Sequence, residues 1–311
     1  MLKILITGGA GYIGSKLTTK LVNIGYDVTV IDKLQYNKNS LSHLYIRKNF
    51  KLITGDVTDK KLIKKEITNK DIIIPLAALV GAPLCEKNKI LAKKVNQDAI
   101  KIIINYKKNE QKIIFLTTNS GYGVGDKKKL CDEQSPLKPI SLYGITKNNA
   151  EKIICKSKNY ICFRLATVFG YSFRMRTDLL VNNFIFNAIK KKKLFLFEEN
   201  FRRNFIHIDD VIDAIIFSII NFKKLKNNIF NLGLSSANIT KQELAKKIKK
   251  EIKDLKILKS KNKKDPDKRD YFVSNKKIEK AGFKAKISLE NGIKELAQVF
   301  QTENQSYKNN Y

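Results

Sequence analysis

Tyr143 and Lys147 are the pair of side chains in this sequence best suited to proton transfer. Four residues apart on a helix, they lie on one face. A free phenol has a pKa of about 10. A tyrosine that takes a proton from an alcohol at neutral pH therefore needs its anion stabilised, and each lowering of its pKa by one takes about 1.4 kcal/mol. The Lys147 ammonium can supply part of that field. Because Tyr-x-x-x-Lys alone is common on helix surfaces, its meaning depends on what precedes it.

A glycine-rich turn near the N-terminus predicts a dinucleotide site. The strand-like run Lys3–Thr7 is followed by glycines at positions 8, 11 and 14 and by a helical segment, Ser15–Asn23. This spacing permits a tight turn, lets backbone approach a diphosphate and presents the helix N-terminus to the phosphates. Asp32 ends the second strand, where a carboxylate binds the adenosine ribose and repels a 2′-phosphate. NAD is therefore favoured over NADP, a preference that the adjacent Lys33 weakens slightly.

Short apolar runs alternate with amphipathic, helix-length runs in the first half of the chain, which predicts a parallel sheet. Since these runs are apolar at consecutive positions, we expect helices on both faces, giving a doubly wound α/β (Rossmann) fold. The predicted strands are Lys3–Thr7, Val28–Asp32, Lys51–Thr54, Ile72–Leu76, Ile113–Thr117 and Ile161–Leu165. Placed after such a segment, the Tyr143/Lys147 pair is interpreted as catalytic.

Beyond Gly170 the pattern is irregular. Asn204–Ile208 and Asn228–Leu232 could return to the sheet, with a helix over Asp209–Asn221 between them. We therefore expect an NAD-binding domain over 1–168, rejoined by 204–236, and a smaller mixed α/β substrate domain over 169–203 and 237–311. Within the second domain, Thr240 and Glu243 form a capping box for a helix to residue 252, 256–264 is an exposed basic loop, and the tail after 301 is disordered.

Composition restricts the class of protein. With 311 residues, 43% hydrophobic, the chain can build a sizeable core, and four widely spaced cysteines without a C-x-x-C pair indicate reduced thiols and no metal site. No targeting segment or apolar run of about 18 residues is visible, so we expect a soluble cytoplasmic protein without membrane partners.

The net charge of +32 is consistent with a polyanionic partner, but it comes from 54 Lys and only 7 Arg. A drift toward A/T-rich codons would produce such an excess of Lys on any solvated surface. The charge is therefore weak evidence for nucleic-acid binding. Where Lys is the default cation, Arg is expected where a planar fork must bind phosphate or carboxylate. Five of the seven arginines fall in three short segments, at positions 174 and 176, 202 and 203, and 269.

Taken together, the glycine-rich turn, Asp32 and Tyr143-x-x-x-Lys147 resemble the extended short-chain dehydrogenase/reductase family of nucleotide-sugar epimerases and dehydratases, over nearly the whole chain. The resemblance implies that Tyr143 is the base, Lys147 its electrostatic partner and Thr118 the clamp on the sugar O4. It implies NAD binding by Gly8, Gly11, Tyr12, Ile13, Gly14, Asp32, Lys33, Asp56, Val57, Leu76, Ala77, Ala78, Asn96, Thr117, Tyr143 and Lys147. It implies nucleotide-sugar binding by Thr118, Asn119, Thr167, Arg176, Asn183, Arg203 and Arg269, whereas Arg174 and Arg202 are expected to be surface cations.

Residues after Thr118 discriminate among the family's reactions. A 4,6-dehydratase needs an acid–base pair there, and its relatives carry Asp-Glu. Here the residues are Asn119 and Ser120, neither of which is a general base near neutral pH, so dehydration is disfavoured. Epimerisation at C3 or C5 would need a Cys or His near the sugar, but Cys85 is expected to be a buried hydrophobe and His207 a satisfied strand residue. Hydride transfer at C4 remains.

Four segments, 74–85, 117–123, 174–182 and 265–271, resemble enzymes that oxidise GDP-linked heptoses at C4. That resemblance implies a 4-keto nucleotide sugar for capsule or surface-polysaccharide synthesis, with NADH reoxidised in place by an added 2-oxo acid. A 4-epimerase is the alternative within the family. From another class, the chain could be a non-catalytic NAD-sensing or nucleic-acid-binding module. Relatives pair two helices from each subunit, which implies a homodimer through 90–105 and the helix starting near 141.

Overall fold

A seven-stranded parallel sheet forms the centre of the molecule, in a computed structural model that describes residues 1–36, 38–126, 129–259, 269–302, 307 and 309–310. Its order is β10-β6-β5-β4-β1-β2-β3, with every pair of neighbours parallel. The strands are β1 (Lys3–Thr7), β2 (Asp27–Asp32), β3 (Phe50–Thr54), β4 (Ile72–Pro75), β5 (Lys112–Thr118), β6 (Tyr160–Leu165) and β10 (Asn228–Leu232). All six strands predicted in the first half are present within about two residues of the expected bounds.

Helices cover both faces of this sheet. Ile4 and Ile6 of β1 share a core with Leu17 of the first helix, while Leu5 between them packs on the opposite face with Ile63. The predicted doubly wound α/β fold is therefore confirmed. The helices are α1 (Tyr12–Ile24), α2 (Lys60–Ile67), α3 (Ala82–Lys87), α4 (Lys89–Lys93), α5 (Ala99–Tyr106), α6 (Leu142–Cys155), α7 (Leu180–Lys191), α8 (Ile208–Ile220), α9 (Phe222–Leu225), α10 (Lys241–Glu251), α11 (Lys276–Lys280) and α12 (Leu289–Thr302).

Two small sheets lie beside the main one. β9 (Arg202–His207) pairs with β7 (Thr167–Phe169) and β11 (Asn238–Thr240), and β12 (Lys256–Lys259) pairs with β8 (Lys193–Leu196). The expectation that 204–208 returns to the main sheet is thus wrong, because β9 pairs in register with β7 and β11 instead. Only the 228–232 strand returns, beside β6. The division of the chain into two domains stays a prediction.

The part of the chain after β11 agrees only in part with the prediction. Thr240 and Glu243 form the predicted capping box of α10. Residues 256–259 are a strand and not a loop, since they pair with β8, and 260–264 lie outside the described residues. The predicted disorder after 301 falls largely on residues outside the description, but Tyr307 packs on Phe300, with ring centroids 5.8 Å apart. No helix in the described ranges has the length and apolar character needed to span a membrane.

Candidate active site

Glycine is required where the β1–α1 loop meets the segment after β4. Gly8 has φ +74°, and a Cβ there would lie 2.5 Å from the Ala77 nitrogen. A Cβ on Gly14 would lie 2.3 Å from the Gly8 carbonyl oxygen. The helix that follows begins at Tyr12 with no side chain capping its first N–H groups, which leaves them available to a phosphate. This cradle, which a Cβ would fill, fits a dinucleotide diphosphate.

Gly8→Ala is expected to abolish measurable NAD binding and to lower the free energy of unfolding by about 1–3 kcal/mol, because of the positive φ and the clash with Ala77. Gly25→Ala is the matched control, since Gly25 has φ +103° at the end of α1 but nothing within 4 Å of its added Cβ. That control should lose a little stability and keep NAD. Fluorescence titration with NAD checks the pair, and unchanged affinity in Gly8→Ala would disprove the cradle.

Acidic residues predicted to hold the adenosine half lie at the ends of β2 and β3. The Asp32 carboxylate accepts hydrogen bonds from the N–H groups of Ala10, at 3.0 Å, and Leu34, at 2.8 Å. Burial raises the pKa of Asp32. The Lys33 ammonium lies 3.1 Å from the Asp56 carboxylate and pairs with it. This ion pair supports the carboxylate, and not the lysine, as the group that faces a ribose.

Leu76, Ala77 and Ala78 follow β4, and the backbone of Leu76 and Ala77 lies against Gly8 of the glycine-rich loop. Asn96 lies in a π-helical turn between α4 and α5. Its amide accepts a hydrogen bond from the Leu79 N–H at 2.8 Å and donates to the Leu79 carbonyl at 3.0 Å. Asn96 thus fixes the backbone of the segment that is predicted to line the cofactor. Two further predicted positions, Val57 and Thr117, are buried.

Tyr143 and Lys147 are positioned by the first two turns of α6. Ser141 caps this helix, its Oγ accepting from the Gly144 N–H at 3.2 Å. Tyr143 is half-buried, whereas Lys147 is 5% exposed, with its ammonium 4.1 Å from the centroid of the Phe115 ring on β5. Among the described residues, none accepts a hydrogen bond from Lys147. Burial lowers the pKa of Lys147 to about 7. An ammonium held this way is suited to a ligand hydroxyl or phenolate.

The turn after β5 carries Thr118, Asn119 and Ser120. Thr118 Oγ1 accepts from the Ser120 N–H at 3.1 Å and donates to Ser120 Oγ at 3.2 Å. Asn119 is 1% exposed, and in the amide orientation that satisfies both neighbours it donates to the Arg164 carbonyl and accepts from the Ala166 N–H. Asn119 thus lies at the end of the β5–β6 pair, and its predicted contact with the sugar stays a prediction.

The arginines are more deeply placed than the sequence suggested. Arg174 is 3% exposed and Arg202 forms an ion pair with Asp270, 2.8 Å from Nε to Oδ1. Their prediction as ordinary surface cations is wrong. Arg176, predicted to bind the nucleotide sugar, pairs with Asp178. Arg203 is 1% exposed on β9, and its Nη1 donates to the Arg202 carbonyl at 2.9 Å.

The other predicted sugar-binding residues lie around this group. Arg269 is half-buried next to Asp270, whose N–H faces the Gly123 carbonyl at 3.4 Å. Thr167 begins β7 and is half-buried. Asn183 donates to the Thr177 carbonyl at 3.0 Å, so its amide nitrogen serves the segment before α7. The quoted residues 265–268 lie outside the described part of the chain.

Arg164 was not singled out in the sequence, yet it connects α6 to the turn after β5. Its guanidinium contacts Glu151 of α6, with Nη2 2.7 Å from Oε1, and Nη1 lies 3.1 Å from the Tyr122 hydroxyl. Tyr122 in turn donates to Asn231 Oδ1 of β10 at 2.6 Å. Glu151 lies one turn after Lys147, so this buried network fixes the helix that carries Tyr143 and Lys147. An arginine among so many lysines was the available signal.

Arg164→Met is expected to lower the free energy of unfolding by about 3–5 kcal/mol, because it leaves the buried Glu151 carboxylate without its cation. The exposed Arg47 provides the matched control, and Arg47→Met should stay within about 0.5 kcal/mol of the native protein. Urea denaturation of both variants tests this. A loss below about 1 kcal/mol for Arg164→Met would show that the network does not stabilise α6.

Cys85 and His207 are buried and hydrogen-bonded within the fold. Cys85 is fully buried, and its thiol donates to the Leu79 carbonyl at 3.4 Å; all four cysteines are free thiols. His207 is 2% exposed, with Nε2 2.8 Å from Glu295, while Nδ1 accepts from the Asp209 N–H at 3.3 Å. Asp209 itself contacts the Lys16 ammonium at 2.5 Å. His207 is a satisfied buried residue, as the sequence predicted.

The doubly wound sheet, the glycine-rich cradle and the α6 pair define a dinucleotide-binding enzyme fold of the oxidoreductase type. Residues 4–233 match the NAD dependent epimerase/dehydratase family, and the chain belongs to that family. The prediction of NAD as the cofactor is thereby confirmed.

Named relatives resemble the chain over nearly its full length. It is 27% identical to a putative UDP-glucose 4-epimerase of Methanocaldococcus jannaschii, with 97% of this chain and 100% of the relative covered. It is 26% identical to dTDP-D-glucose 4,6-dehydratase of Mus musculus, covering 99% and 91%. The solved UDP-glucose 4-epimerase of Thermotoga maritima with UDP-glucose superposes with a TM-score of 0.84 at 25% identity, covering 96% and 99%.

Proposed function

We propose that this chain oxidises C4 of a sugar carried on a nucleoside diphosphate. The observation that supports this most is the half-buried Tyr143 on the same helix face as Lys147, whose buried ammonium has no hydrogen-bond acceptor among the described residues. Both side chains lie on α6, packed on β5, and β5 belongs to the same parallel sheet as the strand that leads into the glycine-rich cradle.

Each side chain has a defined task in this reaction. Tyr143 takes the proton of the C4 hydroxyl, and the Lys147 ammonium stabilises the phenolate. Thr118 holds the C4 oxygen through its hydroxyl, for which its bond to Ser120 can be exchanged. NAD, when bound, accepts the hydride that leaves C4.

The substrate that we propose is a GDP-linked heptose, oxidised to a lasting 4-keto product for surface-polysaccharide synthesis. Support comes from the four segments that resemble such enzymes. If the reduced cofactor stays bound after the keto sugar leaves, a 2-oxo acid can reoxidise it by taking the hydride and a proton to become a 2-hydroxy acid. Arg176, Arg203 and Arg269 are the guanidinium groups proposed for the diphosphate, for which Arg176 would exchange its pairing with Asp178.

A 4-epimerase is the second candidate, favoured by the names of the relatives rather than by any residue. It would return the hydride to the opposite face of the keto sugar. Dehydration has less support, because Asn119 is buried against backbone and Ser120 is not a base near neutral pH, so the turn after Thr118 offers no acid–base pair.

Incubation of the purified protein with GDP-heptose and, in parallel, UDP-glucose separates these outcomes by NMR of the sugar. A 4-keto sugar from GDP-heptose, increased by a 2-oxo acid, supports the dehydrogenase. A C4-inverted sugar without net redox change supports the epimerase and contradicts the dehydrogenase. Bound NAD with no change in any nucleotide sugar would instead support the non-catalytic module.

We also propose a homodimer through α4, α5 and α6. Ile90 and Leu91 on α4 are 76% and 40% exposed, and Ile145 on α6 is 39% exposed. Exposed aliphatic side chains on neighbouring helices are typical of a surface that a second subunit covers. Sedimentation equilibrium measures the mass, and a monomer at micromolar concentration would contradict the proposal.

A further inference from the structure

Residues 170–178, here called the crossing segment, leave β7 and pass over the beginning of α1. The Tyr12 hydroxyl donates to the Gly170 carbonyl at 2.7 Å, and Ser172 Oγ donates to the Tyr12 carbonyl at 2.6 Å. Ser172 Oγ also lies 3.0 Å from Ser15 Oγ. The crossing segment is therefore fixed against the helix whose N-terminus completes the glycine-rich cradle.

Two consecutive side chains of the crossing segment reach the connection between β2 and β3. The guanidinium carbon of Arg174 lies 4.7 Å from the centroid of the Tyr36 ring, four residues after Asp32. The Phe173 ring packs on His43, with centroids 4.7 Å apart. Arg174 thus lies beside the loop that follows Asp32, the carboxylate predicted to bind the ribose.

Arg174 is a buried cation whose charge is not directly paired within the described residues. Its Nη2 donates to the neutral amide of Asn310 at 2.5 Å, and no described carboxylate lies within ion-pair distance. Burial, followed by repulsion from Arg176, lowers the pKa of Arg174 to about 10, and Asp178, Tyr36 and Asp32, in that order, oppose this shift. Because a buried cation without an anion is costly, an anionic ligand would stabilise Arg174.

We propose that Arg174 is a cofactor-binding residue, which reaches over from the crossing segment to hold the adenosine ribose and its adjoining phosphate. A guanidinium stacked on an aromatic ring is suited to a phosphate oxygen and a ribose hydroxyl together. Ser40 Oγ donates to the Ala10 carbonyl at 2.9 Å, so the Tyr36 loop and the glycine-rich loop are joined. This inference concerns cofactor retention alone and goes beyond the proposed sugar oxidation.

Opposite charges then flank the same ribose. Asp32 repels a 2′-phosphate, and Arg174 would attract one. The selection of NAD over NADP by this chain therefore depends on the carboxylate outweighing the guanidinium. Removal of Asp32 should expose the attraction that Arg174 supplies.

The first measurement is the affinity for NAD and the rate of its release, both determined on the full chain without sugar. Arg174→Ala is expected to weaken NAD binding and speed its release by at least about tenfold, because one charge-assisted contact is lost. Arg174→Lys should fall between Arg174→Ala and the native protein, since it keeps the charge and loses the planar stack. Arg47→Ala, which removes an exposed arginine, should match the native protein. Native affinity in Arg174→Ala would overturn the proposal.

NADP binding supplies a second, independent measurement should Arg174→Ala fold poorly. Asp32→Ala is expected to gain NADP affinity by about tenfold or more, and Asp32→Ala/Arg174→Lys to keep part of that gain. The double variant Asp32→Ala/Arg174→Gln should lose it. Equal NADP affinity with and without the guanidinium would show that Arg174 does not face the ribose. Since neither measurement contains a sugar, a chain that passes both and oxidises no sugar fails only the proposed function.

Discussion

Tyr143→Phe is expected to lower turnover of the sugar by about 100- to 10,000-fold, the range for loss of a positioned acid–base group. NAD binding should be preserved, because the ring stays on α6 and Ser141 still caps that helix. The measurement is kcat for C4 oxidation beside NAD affinity for the same preparation. A fall in turnover with unchanged affinity assigns the hydroxyl to proton transfer.

Tyr160→Phe is the matched control for this substitution. Tyr160 also carries a half-buried phenol, but it lies at the beginning of β6 beside Cys155 and far along the strand from Thr118. Turnover in the control should be within about twofold of the native value. Normal turnover in Tyr143→Phe would remove the base from the proposed reaction.

Lys147→Met is expected to stabilise the cofactor-free protein while abolishing its activity. Burial places the pKa of Lys147 near 7, below its ordinary value of 10.5, so the folded state is penalised for holding the ammonium. At pH 7 or below, the variant should gain about 2–4 kcal/mol in the free energy of unfolding. Turnover should fall at least about a hundredfold, since the phenolate loses its cation.

The pH dependence of that gain has a defined sign. Below the folded pKa of about 7, Lys147 is charged in both states and the native protein bears the full penalty. Between about 7 and 10.5 the folded state loses its proton before the unfolded state does, so the penalty shrinks as pH rises. Urea denaturation across this window should show the advantage of Lys147→Met fading. Lys152→Met, at an exposed position of the same helix, should show neither the gain nor the fading.

Local patterns were sufficient to predict the main sheet. Strands buried on both faces appear in the sequence as continuous apolar runs. Glycine is required at positions 8 and 14 because an added Cβ would lie closer than 3 Å to neighbouring backbone. The prediction failed at 204–208, which has the same apolar strand character. Which sheet such a strand joins is decided by its distant partners Thr167–Phe169 and Asn238–Thr240, and no local pattern encodes that pairing.

The sequence could not predict which neighbours the side chains of the site contact. Asn119 occupies a position associated with substrate, and its side chain is only 1% exposed. Arg174 and Arg176 are two residues apart, yet one contacts Tyr36 and the other Asp178. Their contacts differ because the crossing segment passes over α1, and the local sequence does not show that path.

The most direct test of the account uses a nucleotide sugar carrying deuterium at C4. Oxidation at C4 without added 2-oxo acid should move the deuterium as a hydride equivalent to the nicotinamide ring of the cofactor and leave a 4-keto sugar that no longer carries it. Mass spectrometry of both molecules after a single turnover makes the measurement. Turnover with deuterium retained at C4 throughout, or its loss from C4 to water, would contradict oxidation at this carbon.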